Sequence, residues 1–360
     1  MRFLKWFLVI IALIIFGVYS VDKSLVASNI VNTTGVAHYA EGKFYNDAKV
    51  EPTNLKKTLG IIARYFKEKR INIEPAKPLP MQVLTKEILN NLSSNTVHIV
   101  KLGHSSMLLK VYGEYWLLDP VFSERASPFS FLGPKRFSPM PISIADLPAI
   151  DKILISHNHY DHLDKAAVKQ LADKTKHFYV PLGVENDLKK WGISEEKITA
   201  FNWWQEQQTA NALIAFTPTQ HFSGRGLSDA NNTLWGSWVI KTQENSIYFS
   251  GDSGYFAGFK EIGNKYGPFD LTLIETGAYD KDWADIHMTP EQSVQAHIDL
   301  QGKVMVPIHN STFDLAFHSW TDPLERVTAA STVNNVMLST PQFGQLFSIN
   351  DAPIVDKWWL

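Results

Sequence analysis

The spacing of apolar residues changes several times along the chain, and each change predicts a different kind of element. Trp6 to Tyr19 (WFLVIIALIIFGVY) is apolar without interruption and follows the basic residues Arg2 and Lys5. A terminal run of this kind directs a chain to a membrane. It is long for a signal-peptide core and a little short of the roughly 20 apolar residues of a full span, so residues 1–21 read as a signal peptide or a membrane anchor. With Arg2 and Lys5 on the cytoplasmic side, the body that follows is exported, to the periplasm or envelope or held there by the anchor. Residues 22–95 are polar and mixed, broken by Gly35, Gly42, Pro52, Pro75, Pro78 and Pro80, and read as a linker and N-terminal wrap. Within them Leu55, Leu59, Ile62 and Phe66 recur at three- and four-residue steps, predicting a helix from Leu55 to Lys69 whose apolar face covers the main body.

From Thr96 the pattern shortens to strand-like runs: TVHIVKL, SMLLKVY, a turn at Gly113, then EYWLLDP. After a Pro-, Ser- and Phe-rich loop from Val121 to Pro148, the run IDKILIS stops at Ser156. LIAFTP, SWVIKT, SIYFSG, LTLIET and KVMVPIH follow, each with small or polar residues at its tail. Helical patterns intervene at Lys165 to Asp173, Val184 to Trp191 and Pro290 to Leu300. The last has Thr289 as N-cap, Pro290 at the first helical position and Gln292 to complete a capping box. Strands interleaved with helices and hairpins indicate a mixed α/β sandwich. Residues 96–350 are read as one catalytic domain and 351–360 as a tail.

Composition narrows the chemistry. The chain has 360 residues, 45% of them hydrophobic and 19% charged, which suits a globular enzyme with a sizeable core. Its 34 basic and 36 acidic side chains leave a formal net charge of -2, so no basic field exists to attract a nucleic acid. The absence of cysteine removes disulfides, thiolate nucleophiles and thiolate ligands together. Any metal site must therefore be built from His, Asp and Glu.

Such ligands are concentrated in SHNHYDHLD, Ser156 to Asp164, which contains the pattern H-x-H-x-D-H. A tight turn leaving a strand can aim His157 and His159 at one metal ion and Asp161 and His162 at another. Two ions that share a water lower its pKa and supply a nucleophile near neutral pH, with no Ser or Cys required. Further ligands must come from elsewhere, and His221, Asp252 and His309 each stand at a strand end. Each reads equally as a ligand or as a satisfied polar residue. As ligands, His157, His159 and His221 would hold one ion, and Asp161, His162 and His309 the other, with Asp252 bridging.

The linked motifs GHSSMLL, LLDPVFSERASP, FLGPKRF, ISHNHYDHLD, FSGDSGY and PIHNSTFDLA resemble the metallo-β-lactamase superfamily. Within it they look like the zinc phospholipases D that cleave N-acyl-phosphatidylethanolamine, and their bacterial relatives. The resemblance covers about residues 96–330. It implies a four-layer αββα sandwich with a dinuclear site at the sheets' shared edge, two Zn2+ per chain, and all seven ligands above. Manganese or iron would suit the same nitrogen and oxygen donors. His287, in ADIHMTPEQ, matches a family histidine near the metals that assists catalysis, or it orients the capped helix that follows. Asp161 and Asp252 are the other residues expected to take part in the reaction.

The implied activity is phosphodiester hydrolysis of an N-acylated phosphatidylethanolamine-like lipid at a membrane surface. The same scaffold supports lactonases and β-lactamases, and a non-catalytic envelope protein could keep such a site for structural metal. Asp119 in LLDP reads equally as an acceptor that fixes a ligand histidine's tautomer and as a turn residue before Pro120. His104 is assigned a structural place, as are His38, His98, His177, His297 and His318. The loop with Phe129, Phe131 and Leu132, followed by Lys135 and Arg136, is either a plain cover or an interfacial element that attracts anionic headgroups. The pairs Trp203/Trp204 and Trp358/Trp359 are expected to be packing residues.

Overall fold

The computed structural model describes residues 16–27, 31, 36–48, 50 and 55–360. Its strand runs assemble into two seven-stranded sheets. The first has the spatial order β16 (Leu346–Ser348), β3 (Val97–Gly103), β4 (Ser106–Val111), β5 (Glu114–Leu118), β6 (Ile150–Leu154), β7 (Thr175–Pro181) and β8 (Ile198–Phe201). The second runs β15 (Met337–Leu338), β14 (Gly302–Ile308), β13 (Phe269–Glu275), β12 (Ser246–Phe249), β11 (Ser237–Lys241), β10 (Leu213–Thr217) and β9 (Glu206–Gln208). A small ribbon, β1 (Tyr39–Ala40) with β2 (Lys43–Phe44), precedes both.

Side-chain alternation explains the layers. On β4, Met107, Leu109 and Val111 join Phe216, Trp238, Ile247 and Leu273 in the core between the sheets. Leu108, between them in sequence, packs on the outer side with α4 (Lys165–Leu171) and α5 (Val184–Lys190), through Val168, Leu171 and Leu188. Outside the second sheet lie α6 (Gly258–Tyr266), α7 (Pro290–Asp299) and α8 (Asp322–Val333). This is the αββα sandwich that the resemblance implied. The capping box of α7 forms as expected from Thr289 and Gln292. Strands β7, β8, β9, β15 and β16 and helices α3 (Lys86–Asn90), α6 and α8 were not anticipated; β16 pairs antiparallel with β3 and closes that edge of the first sheet.

Strand direction places the candidate residues. β12, β13 and β14 are mutually parallel, and β10 runs the same way because two antiparallel pairings separate it from β12. Their C-terminal ends therefore share one edge, which carries His221, Asp252 and His309. In the first sheet, β3, β5 and β6 likewise run together, so Gly103, Leu118 and Leu154 all end at one edge. Three non-glycine residues just past those strand ends adopt left-handed backbone: His104 (φ 50°), Asp119 (φ 39°) and His309 (φ 60°). Such conformations cost on the order of 1 kcal/mol or more each and persist where the surroundings force them.

Two N-terminal elements differ from expectation. The apolar run up to residue 15 lies outside the described residues; its tail enters helix α1, described over 16–25. Among the described residues no helix is long and apolar enough to cross a membrane. Helix α2 (Leu55–Lys67) forms where the spacing predicted, but it is turned over: Leu59, Ile62 and Phe66 are 56%, 47% and 82% exposed. The reason is Arg64, which bonds Asp280 and Asp282 and lies over the Phe317 ring at 3.9 Å, so the polar side faces the body.

A lysine clasps the two sheets beside the shared edge. The inward positions Val97 and Ile99 of β3 continue to Lys101, whose Nζ donates to Pro307 O and Asn310 Oδ1, both at 2.9 Å. Burial pushes this ammonium down to about 7, far below its ordinary value. Below that pH the folded and unfolded states both carry the charge, and the folded state bears the whole burial cost. As pH rises further, the folded lysine is neutral while the unfolded one still binds a proton, so the cost shrinks toward the ordinary lysine value. The stability of Lys101→Met relative to the parent chain should therefore be most favourable at pH 6 and decline steadily to pH 9, as read by urea unfolding. A pH-independent difference would contradict this.

Candidate metal centre

The turn from Ser156 to His162 leaves β6 and is braced at both ends. Asp119, fully buried, accepts the Ser156 N–H (2.7 Å) and the Ser156 hydroxyl (2.5 Å). At the far end Asp164 caps α4 by accepting from Ala166 and Ala167, while its other oxygen accepts from Phe122 and Ser123. One more constraint comes from the second sheet: Gly251, just before Asp252, has φ 55°, and a Cβ there would lie 2.6 Å from Ser156 Cβ. Only glycine lets the two loops meet so closely.

Two groups of donors result. In the first, His157 Nε2 lies 2.9 Å from His159 Nδ1, His221 Nε2 lies 3.3 Å from the same atom, and both Nε2 atoms lie 3.8 Å from Asp252 Oδ2. In the second, His309 Nε2 is 3.2 Å from Asp161 Oδ2 and 3.1 Å from Asp252 Oδ2, and His162 Nε2 is 3.0 Å from Asp252 Oδ1. Ligands at 2.0–2.1 Å around a tetrahedral ion are separated by about 3.4 Å, so these spacings fit a cation in each group. His162 Nε2 and Asp252 Oδ1 are buried, close and yet not hydrogen-bonded, as expected of two atoms aimed at a common third point. The structure thus brings together all seven residues expected as ligands, with Asp252 shared between the groups.

Hydrogen bonds fix the ring tautomers. His162 Nδ1 donates to Asp119 Oδ2 (2.7 Å) and His221 Nδ1 donates to the Ile286 carbonyl (3.0 Å), which leaves each Nε2 free to face the centre. Asp119 therefore takes the tautomer-fixing place rather than that of a turn residue alone. Burial holds His157 and His221 well below the usual imidazole range and His159 down to about 4, so this trio is uncharged at neutral pH. In the second group burial also opposes charge, but Asp252 and Asp161 override it, holding His162 well above its ordinary value and raising His309 to about 10.

Three more groups adjoin the donors. His287 Nδ1 bonds the carboxylate of Glu275, which is wholly buried and pushed up by that burial. The His287 ring lies 5.1 Å from His221 and 5.3 Å from His309, and it can join Asp252 and His309 around a common point. His104, assigned a structural place from sequence, instead puts Nε2 3.1 Å from Asp161 Oδ2, within the second donor group. Glu275 was not singled out from sequence, and its place at a strand end is the one signal that could have found it.

Residues 115–310 match the beta-lactamase superfamily domain. The chain belongs to that superfamily. It is 38% identical over 330 residues to an uncharacterized protein of Mycobacterium tuberculosis, covering 89% of this chain and 87% of that one. It is also 33% identical over 290 residues to N-acyl-phosphatidylethanolamine-hydrolyzing phospholipase D 1 of Caenorhabditis elegans, covering 76% of this chain and 81% of the relative. Among solved structures, Igni18, a metallo hydrolase of Ignicoccus hospitalis, overlays with a TM-score of 0.55 at 22% identity, covering 71% of this chain and 98% of that one. The superfamily's metallo-β-lactamase fold is the αββα sandwich described above, and the chain is a metal-dependent hydrolase of this superfamily.

The surrounding loops sort themselves by exposure. Phe131 and Leu132 are exposed, but Arg136 is turned inward, donating to the Val121 and Ser123 carbonyls and covering Phe313. It is thus not available to an anionic headgroup. Trp203 is buried and donates to the Trp235 carbonyl, Trp204 stacks on Tyr266, and Trp358 and Trp359 pack beside Phe343 and the outer helices.

The two donor groups should take up metal with different pH dependence. His162 and His309 must release protons to become ligands, whereas His157, His159 and His221 are already neutral. In calorimetric titrations of the metal-free chain with Zn2+ between pH 6.5 and 8.5, one equivalent should bind with nearly constant affinity and the other should tighten as pH rises, with proton release. Equal slopes for both equivalents would refute the assignment of charge. Asp119→Asn replaces one of the two accepting oxygens by an amide donor, so either the Ser156 N–H or His162 Nδ1–H faces a donor, and metal binding should weaken by about 10- to 100-fold in a chelator competition without unfolding of the chain.

Proposed function

We propose that the chain is a dinuclear zinc hydrolase of phospholipase D type, acting on phosphodiester lipids of the N-acyl-phosphatidylethanolamine kind, with its catalytic body outside the cytoplasm. The observation that carries this reading is the carboxylate of Asp252, whose two oxygens face both donor groups. The relative named as an N-acyl-phosphatidylethanolamine-hydrolyzing phospholipase D supports the choice of substrate. The apolar run from Trp6 to Tyr19 supports export and tethering.

When bound, two ions supply Lewis acidity, neutralising charge on the phosphoryl oxygens and acidifying a neighbouring water. His157, His159 and His221 would hold one, and Asp161, His162 and His309 the other, with Asp252 common to both. In the reaction a water oxygen forms a bond to phosphorus as the bond from phosphorus to the headgroup alcohol breaks. The leaving alkoxide needs a proton, and His287 is placed to give it. Its Nδ1 is held by Glu275, which fixes the ring's orientation and leaves Nε2 toward the donors. Glu275 is wholly buried and its other oxygen accepts the Ser253 N–H, so the carboxylate that holds the His287 ring is itself fixed in place.

The decisive experiment offers lipid diesters, lactones and β-lactams to the metal-loaded chain and identifies products. Release of an N-acylethanolamine and a phosphatidic acid, with close to two ions per chain and loss of turnover in a chelator, is the expected result. Asp252→Ala and His162→Ala should abolish that hydrolysis in folded protein. His287→Ala should lower kcat by about 100-fold or more while metal content stays unchanged. Turnover of a lactone or β-lactam without any diester would replace this reading with carbonyl hydrolysis.

A further inference from the structure

Helix α2 presents to solvent the stripe that an amphipathic helix normally buries. Leu59, Ile62 and Phe66 follow one another at helical spacing, each about half exposed or more, while Arg64 anchors the opposite side to Asp280 and Asp282. Exposed Lys56 and Lys67 border one side of the stripe, and exposed Lys69 follows the end of the helix. An apolar face bordered by lysines is the pattern of a helix that lies in the headgroup layer of a bilayer.

Its position relates to the metal centre. Asp280 and Asp282 belong to the segment that leads from Glu275 to His287. On the other side, α1 is tied through Asp22 to Leu227 and Ser228, in the loop that follows His221. Phe16, Val18 and Tyr19 of α1 are exposed, as is Leu227 at 81%. The His221 and His287 rings are 5.1 Å apart, so two unpartnered apolar helices are tied to loops that flank one pair of histidines. The apolar residues from Trp6 onward continue upstream from α1.

We propose that α2 docks on an anionic phospholipid bilayer, with Leu59, Ile62 and Phe66 among the upper acyl carbons and the flanking lysines at the phosphates. A second copy of the chain fits less well, because a symmetric contact through this stripe would set lysine against lysine. One exposed stripe of a short helix is also small beside the ~1,200 Å² or more of a stable interface. The Arg64 bonds then hold the His287 segment at headgroup depth, where a lipid diester presents its phosphate. That last consequence rests on the lipid-diester reading; the docking itself does not.

The chain has no cysteine, so a single introduced thiol can be labelled cleanly. Full-length Phe66→Cys, carrying an environment-sensitive fluorophore, is mixed with vesicles of phosphatidylcholine and phosphatidylglycerol, with Val333→Cys on α8 as control. The expected result is a blue shift at position 66, quenched by lipids spin-labelled near the top of the acyl chain, and little change at 333. A label at 66 that stays water-exposed, with the chain bound to vesicles or not, overturns the proposal. So does a shift that appears without vesicles and grows with protein concentration, which identifies a second copy as the occupant.

A functional arm uses Leu59→Glu with Phe66→Glu. Turnover of a vesicle-embedded N-acyl-phosphatidylethanolamine should fall about tenfold or more while a water-soluble aryl phosphodiester is hydrolysed as before. Equal losses on both substrates, or none on the vesicle substrate, count against docking. If the parent chain cleaves only the soluble diester, the lipid reading fails and the fluorescence result alone decides the docking.

Discussion

Buried imidazoles packed nitrogen to nitrogen have no comfortable charge state without a cation, and the rest of this structure depends on that fact. At the shared sheet edge His157, His159 and His221 are too deeply buried to protonate, while His162 and His309 are forced toward protonation by Asp161 and Asp252. Neither half pairs its polar atoms well. The two divalent ions proposed above would resolve both problems together, replacing the protons of one half and satisfying the bare lone pairs of the other. Asp252 lies where the two solutions meet.

Holding that arrangement in place requires a scaffold stiffer than its loops. The parallel strands β12, β13 and β14 deliver Asp252 and His309 to one edge, and β6 delivers the His157 to His162 turn opposite them. Left-handed backbone at His104, Asp119 and His309 is tolerated because each is tied down nearby. The His104 N–H donates to Thr312 Oγ1, the His309 N–H donates to the His104 carbonyl, and Asp119 is locked against Ser156. Lys101 adds a cross-sheet clasp to the segment that bears His309. The strain and the buried ammonium both lower stability, and both are found beside the donors, where positional accuracy matters most.

Much of this was legible in the sequence, for physical reasons that differ by residue. His157 to His162 could be read because four donors in one hexapeptide have no ordinary structural use. His221, Asp252 and His309 could be read as strand-end residues and assigned to two groups, but only the resemblance favoured ligands over satisfied polar residues, because the strand directions that bring them to one edge are not specified by a single sequence. His104 stayed hidden because one histidine after a strand looks the same whether it caps a turn or faces Asp161. Glu275 ends the run LTLIE, where a carboxylate reads as a solvated strand end until its partner His287 is placed beside it. Among whole elements, α8 was missed because Thr, Ala and Ser dominate its middle, and only Pro323, Leu324, Val327 and Ser331 are buried.

The error over α2 is of another kind. Periodicity reports that a helix has two unlike faces; it does not report which one the fold uses. The usual inference assumes that burying apolar area against the body gives the larger gain. Here Arg64 reverses it, because a guanidinium shared among carboxylates and laid on Phe317 binds the polar side to the body strongly enough to leave Leu59, Ile62 and Phe66 outside. An apolar stripe left in water costs free energy in the isolated chain, and that cost is recovered only when something covers the stripe. The overturned stripe of α2 and the exposed Phe16, Val18 and Tyr19 of α1 are thus two incomplete burials among the described residues, tied to segments that flank the same histidines. A flat apolar layer beneath charged headgroups, as proposed for α2, would cover both at once.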